Sequence, residues 1–291
     1  MHATIELARR VDRAEIEFCA LAGSGAFAST GRFQRQPDSV AMLDAGGGRA
    51  LFGRPGSPLN KVLGLGLQGP VTDEDLDRIE AFYRSRNAPT QIELCPLAFS
   101  DVPARLCARG YVLEAFENEL GRSLASDQTT VRSSGVGAAF RRPGADVGVT
   151  LAGPDEDPLW MRIVSDGFVA FEPHVGGAPE SKAFTTEQMM EMMAQFGHPN
   201  IRRYIAWIDG EPAGGGAAWT YDGVLGIFGT STLARFRRRG VQAAITVRAM
   251  DDARGEADLA IATTAPGSTS QRTFERLGFC VLYTRAVFIK G

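Results

Sequence analysis

Apolar positions in residues 70–120 first follow a helical period: Leu76, Ile79 and Phe82 recur behind Thr72 and Asp75, a pair spaced to start a helix. The pattern predicts a helix there, a strand at Gln91–Cys95, a second helix from about Val102 to Arg109, and a strand at Val112–Leu120. Gly110 is placed to end the second helix, since glycine readily takes the left-handed conformation that relieves the last carbonyls. At the N-terminus, residues 1–23 mix charges among their apolar positions and read as an amphipathic helix.

The same order returns near the C-terminus. A helix is predicted from Gly240 to about Arg254, a strand at Asp258–Thr263, a helix from about Ser268 to Leu277, then Gly278-Phe279 and a strand at Cys280–Ile289. Gly110 and Gly278 stand 168 positions apart (278 less 110), and that offset also carries Thr72 to Gly240, Ile79 to Val247 and Phe82 to Met250. An internal duplication accounts for this; so does the general frequency of helix–strand–helix–Gly–strand in α/β proteins. Residues 125–148, rich in Ser, Gly and Thr, read as a linker between a half spanning 1–124 and a half spanning 149–291.

Composition narrows the class. Hydrophobic residues at 44% and charged residues at 22% allow a packed core and argue against wholesale disorder. A formal charge of -3 and a pI near 5.7 speak against nucleic acid as a partner. Cys19, Cys95, Cys107 and Cys280 form no close pair and stand near no histidine cluster, so neither a metal site nor a disulfide framework is expected. With no stretch resembling a signal peptide or a membrane span, the expected setting is the cytoplasm, away from membranes.

The chemistry concentrates in residues 224–253, where a β-strand runs into Arg237–Gly240 and then a helix. A strand feeding a glycine turn and a helix collects free backbone N–H groups and the positive helix end at one point, which suits phosphate. Gly240 permits close approach, and Arg237, Arg238 and Arg239 add charge-assisted donors. Arg237-x-x-Gly240-x-Gln242-Ala243 resembles the pyrophosphate loop of GNAT acyltransferases, R/Q-x-x-G-x-G/A, with Gln242 where the family prefers Gly or Ala. Downstream, Arg272–Phe279 (RTFERLGF) is similar to the family's helix-ending signature, in the correct order and distance. The resemblance covers residues 205–291 and extends weakly to about 148. In the first half GLGLQGPVTDED takes the place of the phosphate loop and has no basic residue, so that half reads as a degenerate copy.

The resemblance implies a mixed α/β protein of two GNAT-like halves, each a mixed, mostly antiparallel sheet flanked by helices. It implies acetyl-CoA, or another acyl-CoA, as cosubstrate, no metal, and transfer of the acyl group to an amine by direct attack. Thr230, Ser231 and Thr232 would pair with the pantetheine arm and supply the oxyanion donor; Arg237, Arg238, Arg239, Gly240, Val241, Gln242 and Ala243 would hold the pyrophosphate. Many relatives protonate the leaving thiolate with a tyrosine on the last helix, but Phe274 matches that position, and Gly267 replaces an asparagine often found seven residues earlier. Ser268, Ser270 and Tyr283 are the candidate donors, with Tyr221 beside them, and Glu172, His174 and Asp222 the candidate bases. The acceptor is a small-molecule or peptide amine whose identity the sequence does not spell, and a homodimer stays open. The alternative reading is a non-catalytic CoA-binding or CoA-sensing module.

Overall fold

The computed structural model describes residues 2–24, 40–124, 147–170 and 185–291, apart from the side chains of residues 187, 188 and 191. The predicted linker therefore lies, up to residue 146, outside the described residues. The described chain divides into two compact units: residues 2–24, 40–119 and 281–291 form the first, and residues 120–124, 147–170 and 185–280 the second.

The first unit contains α1 (Ile5–Ser24), β1 (Ala41–Ala45), β2 (Gly48–Phe52), β3 (Val62–Leu63), α2 (Asp73–Arg84), β4 (Thr90–Leu94), α3 (Val102–Ala108) and most of β5 (Val112–Ser123). The second takes the end of β5, then β6 (Val147–Leu151), α4 (Asp157–Val169), α5 (Thr186–Met193), β7 (Arg202–Ile208), β8 (Glu211–Tyr221), β9 (Val224–Thr232), α6 (Val241–Asp252), β10 (Leu259–Thr264) and α7 (Thr269–Arg276). The last strand, β11 (Cys280–Lys290), belongs from Val281 onward to the first unit. Strand order is β1-β2-β3-β4-β11-β5 in the first unit and β5-β10-β9-β8-β7-β6 in the second. Each unit is a mixed, mostly antiparallel sheet with helices packed on it, as the sequence pattern and the resemblance imply; β3 pairs with β4, and β9 with β10, in parallel.

In the first unit α2 starts where Thr72 and Asp75 close a reciprocal capping box: the Asp75 amide donates to the Thr72 hydroxyl at 3.1 Å and the Thr72 amide to the Asp75 carboxylate at 3.0 Å. Its inner face buries Leu76, Ile79 and Tyr83, and the Tyr83 hydroxyl donates to the Leu51 carbonyl at 2.9 Å. Beneath α1 lies a buried charge network. The fully buried Arg285 bonds Asp12 and Glu15 of α1 and stands 3.6 Å from both Glu93 and Glu119, while Lys61 meets Glu93 at 2.8 Å. Charges taken out of water persist only when paired, so this network ties α1 to the sheet.

In the second unit, Gly214-Gly215-Gly216 of β8 lets helices approach both faces. A Cβ at 214 would stand 2.6 Å from Val241 of α6 and one at 216 would stand 3.0 Å from Ile245; on the opposite face, a Cβ at 215 would stand 2.7 Å from Val164 of α4. The Trp160 indole then donates to the Gly216 carbonyl at 3.0 Å. Among the described residues no helix is long and apolar enough to cross a membrane, and no group of three His, Cys, Asp or Glu side chains could hold a metal ion.

The network carries a pH signature. Burial, and then the nearby Glu93, push the Glu117 carboxyl up to about 7, with Glu15 adding to the rise and Lys61 and Arg285 opposing it. A carboxyl raised in the folded state favours folding while it holds its proton, and that contribution is lost as pH rises from the ordinary value of 4.5 through about 7. Glu117→Gln should therefore match the parent at pH 4.5 and become the more stable of the two by pH 8, in urea unfolding at a series of pH values. A Gln variant that is less stable than the parent at pH 8 would show that the carboxylate is needed as a partner of Lys61.

Candidate functional site

The site is built from a failure of pairing. Strands β9 and β10 run parallel through only three residue pairs, Val224 with Leu259, Leu225 with Ala260 and Gly226 with Ile261. On its other edge β9 keeps pairing with β8 to Thr232, but with a shift: Ala217 faces Phe228 and Gly215 faces Ser231, so β9 spends one extra residue there. That residue lies at Gly229, whose φ of +55° is left-handed and suits glycine. A bulge bends its strand. The backbone of Gly229–Thr232 thus parts from β10, leaving its ladder N–H and C=O groups on that edge without β10 as partner.

Alternation assigns the side chains. Ser231, opposite Gly215, turns toward α4 and donates to the Val164 carbonyl at 3.0 Å, while Gly167 of α4 leaves room for it. Thr230 turns the other way, toward the α6 face, where its methyl lies 2.7 Å from where a Cβ of Gly216 would be. Of the three residues expected to receive the pantetheine arm, Ser231 fixes the strand through its side chain, and the backbone edge of all three lies beyond the pairing with β10.

Beyond β9 a single 3-10 turn, Ala234–Phe236, leads to the arginines. Gly240 is the N-cap of α6 with φ +86° and no side-chain cap, so the N–H groups of Val241, Gln242 and Ala243, which the first turn of any helix leaves without intrahelical partners, converge uncapped. Arg238 also sits left-handed, at φ +62°, a strain of about 1 kcal/mol for a residue with a Cβ. It is exposed and meets no partner among the described residues. Arg239 stands 3.3 Å from the exposed Asp209 and 5.5 Å above the Phe236 ring; Arg237 donates to the carbonyl of Ala170 at the end of α4. An exposed ion pair is worth little, so Arg239 is readily re-partnered by a phosphate.

The structure engages the expected hydroxyls elsewhere. Ser268 is the N-cap of α7, accepting from the Gln271 amide at 3.0 Å. Ser270 accepts from the Gln242 side chain at 2.7 Å, which links α7 to the first turn of α6 and turns that side chain toward α7. Tyr283 belongs to the first unit, where its hydroxyl donates to Asp12 at 3.1 Å and burial pushes its pKa up. Phe274 is buried in the core with its ring edge-on to Phe279. Glu172 and His174 lie outside the described residues; Asp222 sits at the exposed β8–β9 turn with φ +47°. Sequence reasoning passed over Thr264, the last residue of β10, whose hydroxyl is buried and has no hydrogen-bond partner. Only its place at the end of a strand beside a parting pair marks it, and that is invisible in one dimension.

This geometry offers backbone donors along an opened strand beside an uncapped helix end flanked by arginines. Residues 170–279 match the family described as "Acetyltransferase (GNAT) family". No curated protein matches the sequence. Among solved structures, a GCN5-related N-acetyltransferase from Kribbella flavida is 19% identical, with a TM-score of 0.65 over 97% of this chain and 95% of that one. A functionally unknown conserved protein from Staphylococcus epidermidis is 13% identical, with a TM-score of 0.60 over 85% and 92%. A tandem GNAT protein from the clavulanic acid biosynthesis pathway is 16% identical, with a TM-score of 0.53 over 97% and 94%. The likeness to a tandem protein over nearly the whole chain accounts for the repeated element order. The chain therefore has the fold of a tandem GNAT protein, and its residues 170–279 match the GNAT acetyltransferase family.

Proposed function

We propose that the second unit moves an acyl group, most simply acetyl, from acyl-CoA to the nitrogen of a small-molecule or peptide amine in the cytoplasm. The observation that carries this reading is the conjunction of the parted β9–β10 pair with the uncapped N-terminus of α6, since a phosphate-bearing thioester needs both at once. The bound cosubstrate supplies the activated acyl thioester; the chain supplies position and charge. The N–H groups of Val241, Gln242 and Ala243, with Arg238 and Arg239, bind phosphate oxygens. The open edge at Thr230–Thr232 orients the arm and offers an N–H to the oxygen on which charge grows as the amine attacks. A thiolate is a far better leaving group than an alkoxide or an amide anion, so the chemistry does not require the tyrosine that Phe274 replaces.

Amine-dependent release of CoA thiol from acetyl-CoA, measured across a panel of amines, tests the reaction. Turnover with at least one amine is expected. Silence across the panel alongside firm CoA binding would favour a non-catalytic CoA-binding module, the reading that the core position of Phe274 supports.

Binding has its own test. A β-branched residue tolerates a left-handed φ poorly, so Gly240→Val should both reshape the loop and crowd the phosphates, lowering CoA affinity at least about tenfold by calorimetry if it removes one or two charge-assisted hydrogen bonds. Gly255, at φ +81° in the turn after α6, is equally left-handed. Gly255→Val should cost stability yet leave CoA affinity within about threefold, well under one hydrogen bond's worth. Equal losses at the two positions would mean that affinity is following stability and not the loop.

A further inference from the structure

A buried hydroxyl without a hydrogen-bond partner forfeits about 1–3 kcal/mol, and such groups in folded proteins call for an explanation. Thr264 is 6% exposed and its hydroxyl oxygen has no hydrogen-bond partner among the described residues. Its place is informative. The parallel pairing ends at Gly226 with Ile261, and three residues further along each strand stand Gly229, the bulge, and Thr264. Thr264 is thus level with the bulge across the opening. Ala260 and Ala262 pack in the core with Val241 and Ile245 of α6, so by alternation Thr264 turns toward that same face, the one whose helix end carries the phosphate donors. Three of the hydroxyls that sequence alone singles out already have protein partners: Ser268 accepts from the Gln271 amide as the cap of α7, Ser270 accepts from Gln242, and Tyr283 donates to Asp12 in the first unit.

We propose that the Thr264 hydroxyl is the hydrogen-bond donor to the sulfur of the bound acyl thioester and to the thiolate that departs from it. The inference rests on the acyl-CoA reading and adds to it the group that attends the leaving atom. As the amine nitrogen bonds to the carbonyl carbon, the carbon–sulfur bond breaks and its electron pair passes to sulfur. The surplus proton of the amine goes to solvent. The Thr264 proton stays on its own oxygen, directed at the growing charge, and the thiolate takes a proton from water on leaving. Donation to sulfur then satisfies the hydroxyl that is otherwise unpaired, which is the physical reason for burying it there.

The test compares CoA with desulfo-CoA, which lacks the sulfur, by calorimetry at pH 10, where an alkyl thiol is in good part ionised. A hydrogen bond to a charged partner predicts that the parent protein prefers CoA by about ten- to a hundredfold. The near-isosteric Thr264→Val should lose that preference while keeping its affinity for desulfo-CoA, and its kcat should fall by a similar factor with the KM for acetyl-CoA unchanged. Thr264→Ser, which restores a hydroxyl, should recover both. Thr246 of α6 is another buried hydroxyl without a partner, and Thr246→Val should leave the preference intact. Thr264→Val that weakens both ligands alike, or neither, overturns the proposal, and so does loss of the preference in Thr246→Val, which would assign the effect to packing. A parent protein that binds neither ligand removes the acyl-CoA reading itself, an outcome distinct from the others.

Discussion

Everything distinctive about the second unit follows from one parting of strands. A parallel pair normally hydrogen bonds along its whole length, because an unpaired ladder group away from water costs as much as a lost hydrogen bond. β9 abandons β10 after three pairs because the extra residue at Gly229 bends it away while β8 holds its other edge. The consequences are consecutive. An edge is opened, Ser231 must bond the Val164 carbonyl to hold the bent end, and α6 must begin beside that end. The glycines of β8 then let α4 and α6 close on the two faces of the same stretch of sheet.

The first unit shows what happens when the equivalent groups are satisfied internally. Gly64 donates its amide to Asp12, Gly66 donates to the Gly46 carbonyl, and Leu67 donates to the Gly64 carbonyl. The N-terminus of α2, the counterpart of α6, is closed by its own Thr72–Asp75 box and carries Asp73 and Glu74 in its first turn. Carboxylates there complement the helix dipole and leave no role for an anion. The same repeat thus supports an uncapped helix end in one unit and a self-capped end in the other, and the difference lies in a few residues: Gly240 against Thr72, and arginines against acids.

The repeated element order, the helix starts and the glycine turn before α6 were legible in the sequence because each is a local pattern. Leu76 and Ile79 are buried at helical spacing, Gly110 and Gly278 do take left-handed conformations, and Gly240 does cap α6. Other features depend on pairing, which a one-dimensional pattern does not state. Nothing in Cys280–Lys290 announces that it lies beside β4, or that its Arg285 is sunk among carboxylates from α1, β4 and β5. Ser268 and Ser270 drew attention as hydroxyls near the end of β10, but a serine before a helix is also a cap, and local capping is available before any ligand binds. Thr264 went unremarked because its interest comes from lying level with Gly229, a fact of register.

The central claim is that acyl-CoA lies along the opened edge of β9 and the first turn of α6. Amide hydrogen exchange with and without saturating CoA addresses it directly, since each N–H that donates to a ligand oxygen is slowed. The account predicts protection at Thr230–Thr232 and Val241–Ala243, with no change across residues 64–76. Protection across 64–76, or exchange at Val241–Ala243 that ignores CoA, would contradict it.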